Sequence, residues 1–344
     1  MSRRSATLLV AAAGVLIALA VAVALPVPFV ALTPGPTLNT LGTMNGKPLV
    51  QIKGHPTYPV RGHLNMVTVS FIGGPRSHFN IFSALRSWLS PDEAVVPEQE
   101  IFTPGQTPQQ VVKQDVEEMA NSQQTATVAA LCQLKISFKT VDTVRSTAKG
   151  MPAAGVLQPG DVITAVDGKP VTACGDDAGT LIKARKPGAP VRLTVLRHGH
   201  TEQVRLTTVA LQGQPVVGVQ LVQTFVFPFR VSISVGNIGG PSAGLMFALA
   251  IIDKITPDNL TGGRFVAGTG VIEADGTVEP IGGIQQKLVG ARDAGATTFL
   301  TPAANCPDTA RAVPAGLKLI KVSTLAGAVA ALDALKAGRP VPAC

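Results

Sequence analysis

The sequence predicts an α+β multidomain fold behind an N-terminal helix that is long enough to span a membrane. A length of 344 residues suits two or three domains rather than one. Short strands bounded by Gly and Pro alternate with apolar helices, which is typical of mixed domains. We expect the following segments: a stub over residues 1–5, a spanning helix over 6–25, an N-terminal region over 26–134, a middle domain over 135–210 and a last domain over 211–344.

The composition predicts a core of small aliphatic residues and disfavours nucleic acid as a partner. Hydrophobic residues make up 46% of the chain but aromatic residues only 4%, so Ala, Val, Leu and Ile must fill the core. The formal net charge is +8, yet there is no Lys/Arg run and no alternation of basic and aromatic residues. A contact with anionic lipid beside the membrane helix is compatible with this charge but is not specified by it.

The first segment predicts export of the chain. Ala6–Leu25 contains no charged residue, and at about 1.5 Å per residue it can cross a hydrocarbon layer of about 30 Å. Arg3 and Arg4 precede it and the next basic residue is Lys47, so the positive-inside rule places the N-terminus in the cytoplasm and the bulk of the chain outside. The alternative is a cleaved signal peptide, because Ala22–Ala24 has the small-x-small pattern of a cleavage site. Both interpretations export the chain.

Four cysteines fit an extracytoplasmic location. We favour the pairs Cys132–Cys174 and Cys306–Cys344, since each pair then stays around one domain. Each disulfide would close a loop of about forty residues and contribute roughly 3–4 kcal/mol on the loop-entropy model. The alternative is four free thiols. The chain has no Cys-x-x-Cys and its spacing suits no zinc site, so no metal is expected.

The N-terminal region predicts strands followed by one long helix. Leu64–Val69 alternates in the manner of a strand. Thr107 and Pro108 fit the N-cap and first position of a helix that runs to about Leu134. We interpret this helix as a packing or spacer element, with an apolar side formed by Val111, Val112, Val116, Met119 and the run from Ala126 to Leu131.

The middle segment resembles a bacterial-type PDZ domain. Pro152–Gly168 reads PAAGVLQPGDVITAVDG and Val171 follows, which matches the pattern LxPGDVIxxVDGxxV. Turn dipeptides flank the buried strand Val162–Val166, and Val191–Leu196 forms a further strand before a tight turn. The resemblance implies that peptide termini or extended segments add as a strand beside a sheet edge. A PDZ domain that serves only as a spacer is the alternative.

A serine in the last segment stands where a strand meets a helix. Arg230–Val235 alternates as a strand, and Gly236–Gly244 then leads into the apolar helix Leu245–Ile255. Ser242 therefore lies beside backbone N–H groups that have no helical partner and favour negative charge. Such N–H groups can stabilise an oxyanion. A plain helix cap is the alternative interpretation of Ser242.

The same stretch contains a misleading similarity. Gly236–Pro241 reads GNIGGP and resembles the GNSGGP of chymotrypsin-like and HtrA-type proteases, but Ile238 stands in the serine's place. HtrA-type proteins also put the protease before the PDZ domain. A Ser-His-Asp triad is therefore disfavoured, because every histidine precedes the serine segment: His55, His63, His78, His198 and His200.

A lysine supplies the expected base. Gly268–Pro280 predicts a hairpin with an Asp-Gly turn, and a helix follows from about Ile284 to Ala294. Lys287 lies on this helix, with small or apolar neighbours at helical spacing. Burial disfavours the ammonium form and can make a lysine a base near neutrality. A lysine that merely rests its stem on an apolar face is the alternative.

Together these motifs resemble the proteolytic domain of Lon proteases, an α/β domain. The matching elements are GPSAG at Gly240–Gly244, GTG at Gly268–Gly270, DGTVEPIGGIQQK at Asp275–Lys287 and AGA at Ala294–Ala296. With the preceding PDZ domain and membrane helix, the chain resembles the YlbL-like family of secreted or membrane-bound Lon-type proteases.

The resemblance implies roles for individual residues. Ser242 is expected to be the nucleophile, Lys287 the general base and Thr269 the residue that orients the lysine. We expect the N–H groups of Ser242 and Gly240 to hold the oxyanion. The chain departs from the family pattern at Val271, where Glu is common, and in having no acidic residue just before Gly-Pro-Ser.

These inferences predict a serine endopeptidase that needs no nucleotide and no other cofactor. No GxxxxGK[ST] phosphate loop occurs in the chain, so extended, unfolded or flexible polypeptides are the expected substrates. Cytoplasmic Lon proteases form rings, and a homo-oligomer is possible here by analogy alone. The competing hypothesis is a non-catalytic, membrane-anchored PDZ scaffold with a protease-like domain.

Overall fold

The computed structural model describes residues 3–310 and 312–344. Its α-helices are α1 (Arg3–Ala24), α2 (Ile81–Leu89), α3 (Glu98–Ile101), α4 (Pro108–Gln133), α5 (Ala178–Lys183), α6 (Gly244–Ile255), α7 (Ile284–Asp293), α8 (Cys306–Thr309) and α9 (Leu325–Lys336). Short 3-10 turns occupy Gly74–Arg76 and Ala303–Asn305. The helices predicted after Thr107, before Ile255 and around Lys287 are confirmed as α4, α6 and α7.

The strands alternate with these helices along the chain. They are β1 (Phe29–Asn39), β2 (Thr43–Met44), β3 (Lys47–Pro48), β4 (Val50–Lys53), β5 (His63–Gly73), β6 (Ala94–Pro97), β7 (Lys139–Thr147), β8 (Val162–Val166), β9 (Lys169–Pro170), β10 (Pro190–Arg197), β11 (His200–Thr207), β12 (Val209–Leu211), β13 (Gln214–Val216), β14 (Val219–Val226), β15 (Arg230–Ile233), β16 (Phe265–Gly268), β17 (Val271–Ile272), β18 (Val278–Glu279), β19 (Thr298–Pro302) and β20 (Lys318–Val322). The α+β class predicted from the sequence is confirmed.

The first large sheet unites the two ends of the chain. Its strand order is β20-β19-β16-β5-β1-β6. Strand β5 pairs antiparallel with β1 and parallel with β16, and β16 and β20 flank β19 in parallel. Residues of the 26–134 segment thus share one sheet with residues of the 211–344 segment. Helix α6 is buried almost along its whole length at the centre of the largest apolar core.

The second large sheet forms the middle domain. Its order is β11-β10-β8-β7-β14, with β9 paired to β8. Strand β14 pairs with β7 from Val219 to Val226, so the sheet takes in residues beyond 210. A separate apolar core fills this domain, with Leu193, Val195 and Ala178 fully buried.

Helix α1 stands apart from both cores. It is long and apolar enough to cross a membrane, and none of its most apolar window is buried within the protein. The bounds Arg3–Ala24 agree closely with the predicted segment 6–25.

Helix α4 connects the two sheets. Thr107 caps it in a reciprocal capping box with Gln110, as its Thr-Pro start predicts. The expected apolar side is wrong at two positions, because Val112 and Val116 are 50% and 62% exposed. The buried side of α4 turns toward α6 at Met119 and beyond, which leaves those two valines on the opposite face.

Two disulfides have the pairing favoured from the sequence. Cys132, at the end of α4, is bonded to Cys174 of the middle domain. Cys306 is bonded to Cys344 near the end of the chain. The first of these ties helix α4 covalently to the middle domain.

Candidate active site

Ser242 lies in the loop between β15 and α6, two residues before the helix begins. The side chain is half-buried, so one side of it remains open to a substrate. Its carbonyl oxygen accepts a hydrogen bond of 2.8 Å from Gly270 N–H, which joins the loop to the segment after β16. The strand-to-helix placement predicted for Ser242 is confirmed.

Lys287 reaches Ser242 from helix α7. Its Nζ atom lies 2.8 Å from Ser242 Oγ. The lysine is only 3% exposed, and burial lowers its pKa from 10.5 to about 7. A large fraction of the side chain is therefore the neutral amine near neutral pH.

Gly283, the N-cap of α7, and Gly290 within α7 allow the burial of Lys287. A Cβ at Gly283 would meet Val69 Cγ2 at 2.7 Å, and one at Gly290 would meet the Gly35 carbonyl oxygen at 3.2 Å. Because neither glycine has a side chain, α7 can pack closely against β1 and β5. This close packing helps to keep water away from Lys287.

Thr269 completes a three-residue cluster. Lys287 Nζ donates to Thr269 Oγ1 at 3.0 Å, and Thr269 Oγ1 donates to the Ser242 carbonyl oxygen at 2.9 Å. A threonine hydroxyl has one proton, so with that proton engaged it can only accept from the lysine. A neutral amine that donates one hydrogen to Thr269 can direct its lone pair toward Ser242. Thr269 is fully buried.

The loop before Ser242 holds one of the expected oxyanion donors in another contact. Gly240 N–H donates to the carbonyl oxygen of Asp115 at 3.3 Å, which is long for this type of bond. Among the residues that the structure describes, none accepts a hydrogen bond from Ser242 N–H. Ser242 N–H is thus available in this conformation, whereas Gly240 N–H is occupied by the Asp115 carbonyl.

Helix α4 packs against one side of the loop that carries Ser242. Ser122 Oγ donates to the Pro241 carbonyl oxygen at 2.9 Å. A Cβ at Gly239 would meet the Asp115 Cβ at 2.3 Å, so only glycine lets the loop approach the helix this closely. Interpreting α4 as only a packing or spacer helix missed these contacts. Ser122 lies in the polar run Asn121–Thr125, where a further polar residue gives no local signal, and nothing in the sequence paired it with a loop far along the chain.

A cleft of about 620 Å³ opens onto Ser242 and Lys287. Its apolar lining includes Met66, Val69 and Phe102, and its charged lining consists of Arg76, Asp115, Glu118 and Lys287. Arg76 and Asp115 form an ion pair at 2.5 Å. The lining as a whole is a mixture of apolar and polar residues, and it includes one acidic side chain, Glu118, with which no described cation pairs.

One wall of the cleft is the unpaired side of β5. Strand β16 pairs with β5 only over His63–Met66. From Val67 to Gly73, β5 continues to pair with β1, while no described strand pairs with its other side. Residues Thr68, Val69, Ser70 and Phe71 of this stretch line the cleft. Strand edges of this kind offer backbone N–H and C=O groups to an extended peptide.

The histidines lie elsewhere. His55 packs against Phe229 and His63 stacks on Phe265, and no histidine is among the described residues that line the cleft. The arrangement of Ser242, Lys287 and Thr269 is therefore the one cluster at this cleft that pairs a hydroxyl with a base.

Known proteins resemble two parts of the chain. The family model of the Lon protease (S16) C-terminal proteolytic domain matches residues 231–332. The family model of the PDZ domain matches residues 117–208.

Individual relatives cover short stretches. The Lon protease of Roseiflexus castenholzii is 45% identical over 69 residues, which are 20% of this chain and 8% of that protein. Lon protease 1 of Bacillus subtilis is 39% identical over 89 residues, 25% of this chain and 11% of that protein. The chain thus matches about a tenth of the length of these relatives.

Solved PDZ domains of SdrC-like proteins also align with the chain. The Listeria innocua domain is 25% identical with a TM-score of 0.22, covering 24% of this chain and 92% of that one. The Listeria monocytogenes domain is 29% identical with a TM-score of 0.21, covering 24% and 86%. By its two family matches, the chain combines a PDZ domain with a Lon-type C-terminal proteolytic domain, the domain combination of the YlbL-like family that its motifs resemble.

Proposed function

We propose that the protein is a serine endopeptidase in which Ser242 is the nucleophile and Lys287 the general base. The observation that carries this proposal is the distance of 2.8 Å between Ser242 Oγ and a buried Lys287 Nζ. A buried amine with a pKa of about 7 can accept the proton of a serine hydroxyl. The match to the Lon protease proteolytic domain supports the same reaction class.

Acylation uses the two side chains in sequence. Neutral Lys287 accepts the proton from Ser242 as Oγ attacks the scissile carbonyl carbon. The negative charge that develops on the carbonyl oxygen is stabilised by Ser242 N–H and by Gly240 N–H once it leaves the Asp115 carbonyl. The Lys287 ammonium then gives its proton to the departing amine as the peptide bond breaks, which leaves the acyl group on Ser242.

Deacylation repeats the steps with water. Neutral Lys287 takes a proton from the attacking water, and the resulting tetrahedral species collapses with return of that proton to Ser242 Oγ. Thr269 keeps the amine aimed at the reaction centre throughout, through its hydrogen bonds to Lys287 and to the Ser242 backbone.

Extended polypeptides are the substrates that this cleft suits. The free side of β5 from Val67 to Gly73 can pair with an extended segment that leads to Ser242. Such pairing needs a substrate without secondary structure of its own, so the enzyme acts on unfolded or flexible chains without nucleotide. The PDZ domain adds a second place for extended segments or peptide termini.

Helix α1 supports a location of this activity outside the cytoplasmic membrane. Its length and apolarity allow it to span a bilayer, and Arg3 and Arg4 on its N-terminal side favour a cytoplasmic N-terminus. The PDZ and proteolytic domains then face the extracytoplasmic side, where disulfides commonly form and persist.

Cleavage of an unstructured protein such as casein by the full chain in lipid nanodiscs tests the proposal. Ser242→Ala and Lys287→Ala each abolish cleavage and labelling by a serine-reactive fluorophosphonate while the chain stays folded. Lys287→Arg is also inactive, because a guanidinium remains protonated. Wild-type protein that neither cleaves nor labels favours a non-catalytic PDZ scaffold, and an active Lys287→Arg variant overturns the general-base role.

A further inference from the structure

Helix α2 presents an apolar face that no described part of the chain covers. Its exposed large apolar residues are Ile81, Phe82, Leu85, Trp88 and Leu89, with exposed fractions of 49%, 44%, 51%, 71% and 68%. Their spacing of i, i+1, i+4, i+7 and i+8 places all of them on one side of the helix. On the opposite side of the helix, Ala84 and Ser87 are buried in the protein. A contiguous exposed apolar patch of this kind marks an interaction surface.

The start of α2 lies against the end of α1. Asn80, the N-cap of α2, donates its side-chain amide to the Val23 carbonyl oxygen at 3.2 Å. Val27 N–H donates to the Phe79 carbonyl oxygen at 2.8 Å, so the chain that leaves α1 is bonded to the residues that begin α2. If α1 spans a bilayer, these bonds hold α2 at the level where α1 leaves the hydrocarbon.

We propose that α2 lies in the outer interface of the lipid bilayer with this apolar face inserted among the acyl chains. This inference rests on the proposed anchoring of the chain by α1. Interfacial helices bury an apolar face about 5–10 Å into the boundary between headgroups and acyl chains. Tryptophan prefers that boundary, since its ring is apolar and its N–H can meet water or headgroups.

The charges around α2 indicate that burial of apolar side chains, rather than attraction to anionic lipid, drives its insertion. Arg86, the one basic residue on α2, lies 3.7 Å from Glu93. Arg76, just before the helix, is engaged by Asp115. With both cations paired, the face has no excess positive charge for anionic lipid, so zwitterionic lipid suffices.

The chain contains one tryptophan, so Trp88 fluorescence reports on this face directly. The full chain is reconstituted in phosphatidylcholine vesicles, and flotation first tests whether it is anchored. Phospholipids brominated near the top of the acyl chain are expected to lower Trp88 emission by about half or more, while aqueous iodide has little effect. Added anionic lipid is expected to change neither result.

A matched reporter controls for nonspecific quenching. Trp88→Phe combined with Leu211→Trp moves the single indole to β12 of the chain, where Leu211 is 55% exposed. This reporter is expected to respond to iodide and not to brominated lipid. In the wild-type Trp88 background, Leu85→Ser with Leu89→Ser is expected to reduce quenching by lipid, whereas Leu211→Ser leaves it unchanged.

Each failure has its own signature. A chain that does not float refutes the proposed anchoring by α1 and, with it, the proposed position of α2 in the bilayer interface. A chain that floats, with Trp88 open to iodide and unaffected by brominated lipid, refutes the α2 proposal alone. If neither brominated lipid nor iodide lowers Trp88 emission, the α2 proposal is also refuted. The apolar face of α2 is then assigned to a contact with protein. Casein cleavage by the same sample reports separately on the proposed catalytic function.

Discussion

Ser122 and Pro241 are joined by a hydrogen bond although they are 119 residues apart in the chain: Ser122 Oγ lies 2.9 Å from the Pro241 carbonyl oxygen. The bond fixes the peptide that precedes Ser242. Asp115, two turns earlier on α4, holds Gly240 N–H in the same loop. Helix α4 therefore supports the conformation of the loop that carries Ser242, while its Asp115 carbonyl occupies the Gly240 N–H.

Removal of the Ser122 hydroxyl is expected to slow catalysis without weakening substrate binding. The loss of one such hydrogen bond is worth about 1–1.5 kcal/mol, which corresponds to roughly a tenfold fall in kcat if the loop is less well positioned in the transition state. Steady-state cleavage of a fluorogenic peptide by Ser122→Ala measures this change, with KM expected to stay the same.

Thr127→Val is the matched control for that change. Thr127 is also buried on α4, but its hydroxyl donates to Gln123 within the same helix and does not reach the loop. Its kcat is expected to equal that of the wild type. Equal kcat values for Ser122→Ala and wild type contradict the supporting role of Ser122.

The rate of acylation is expected to rise with pH through about 7 and to level off above it. Burial lowers the pKa of Lys287 to about 7, and only the neutral amine can accept the serine proton. The rate of Ser242 labelling by a fluorophosphonate between pH 5 and 9 follows this ionisation. A rate that is flat across that range, or that rises only near pH 10, contradicts a neutral Lys287 as the base.

Replacement of Thr269 by valine is expected to lower kcat and to move the midpoint of that pH profile downward. Thr269 Oγ1 accepts from Lys287 Nζ, and an acceptor stabilises the ammonium more than the neutral amine. Without it, the pKa of Lys287 falls further and the amine loses its orientation. Thr269→Ser keeps the hydroxyl and is expected to restore both the midpoint and most of kcat. A merely structural role for Thr269 would leave the midpoint in place.

Loss of either disulfide is expected to destabilise the chain by a similar amount. The bonded cysteines are separated by 42 residues for Cys132–Cys174 and by 38 residues for Cys306–Cys344. Loops of this length correspond to roughly 3–4 kcal/mol in the loop-entropy model. Denaturant unfolding of the two double Cys→Ser variants measures the change, with each variant serving as the control for the other. A loss below about 1 kcal/mol in either variant contradicts that model for its loop.

The contact between Ser242 and Lys287 could be predicted because both residues lie in short, contiguous motifs. Gly-Pro-Ser before an apolar helix predicts a serine at the start of that helix, and small or apolar neighbours predict a buried lysine. The structure brings Ser242 and Lys287 within hydrogen-bond distance. The start of the helix after Thr107 could also be predicted, since the N-cap Thr107 and Pro108 at the first helical position are adjacent in the sequence.

Contacts between distant segments could not be predicted in this way. No local pattern indicates that β5 pairs in parallel with β16, or that Ser122 of α4 faces the loop that carries Ser242. The exposure of Val112 and Val116 follows from the same cause, because the side of α4 that is buried depends on where α6 lies. We therefore propose to count residues 26–134 with 227–344 as one structural unit, and the middle domain as an insertion within it.

The shared sheet has a consequence for biosynthesis. Strands β1, β5 and β6 leave the ribosome early, but β16, β19 and β20, which complete their sheet, are made only after the whole PDZ domain. The early strands must stay unpaired on one side while the PDZ domain folds by itself. A nascent chain interrupted before β16 thus has an open strand edge on β5, and a fragment that begins after the PDZ domain lacks three of the six strands of its sheet, β5, β1 and β6.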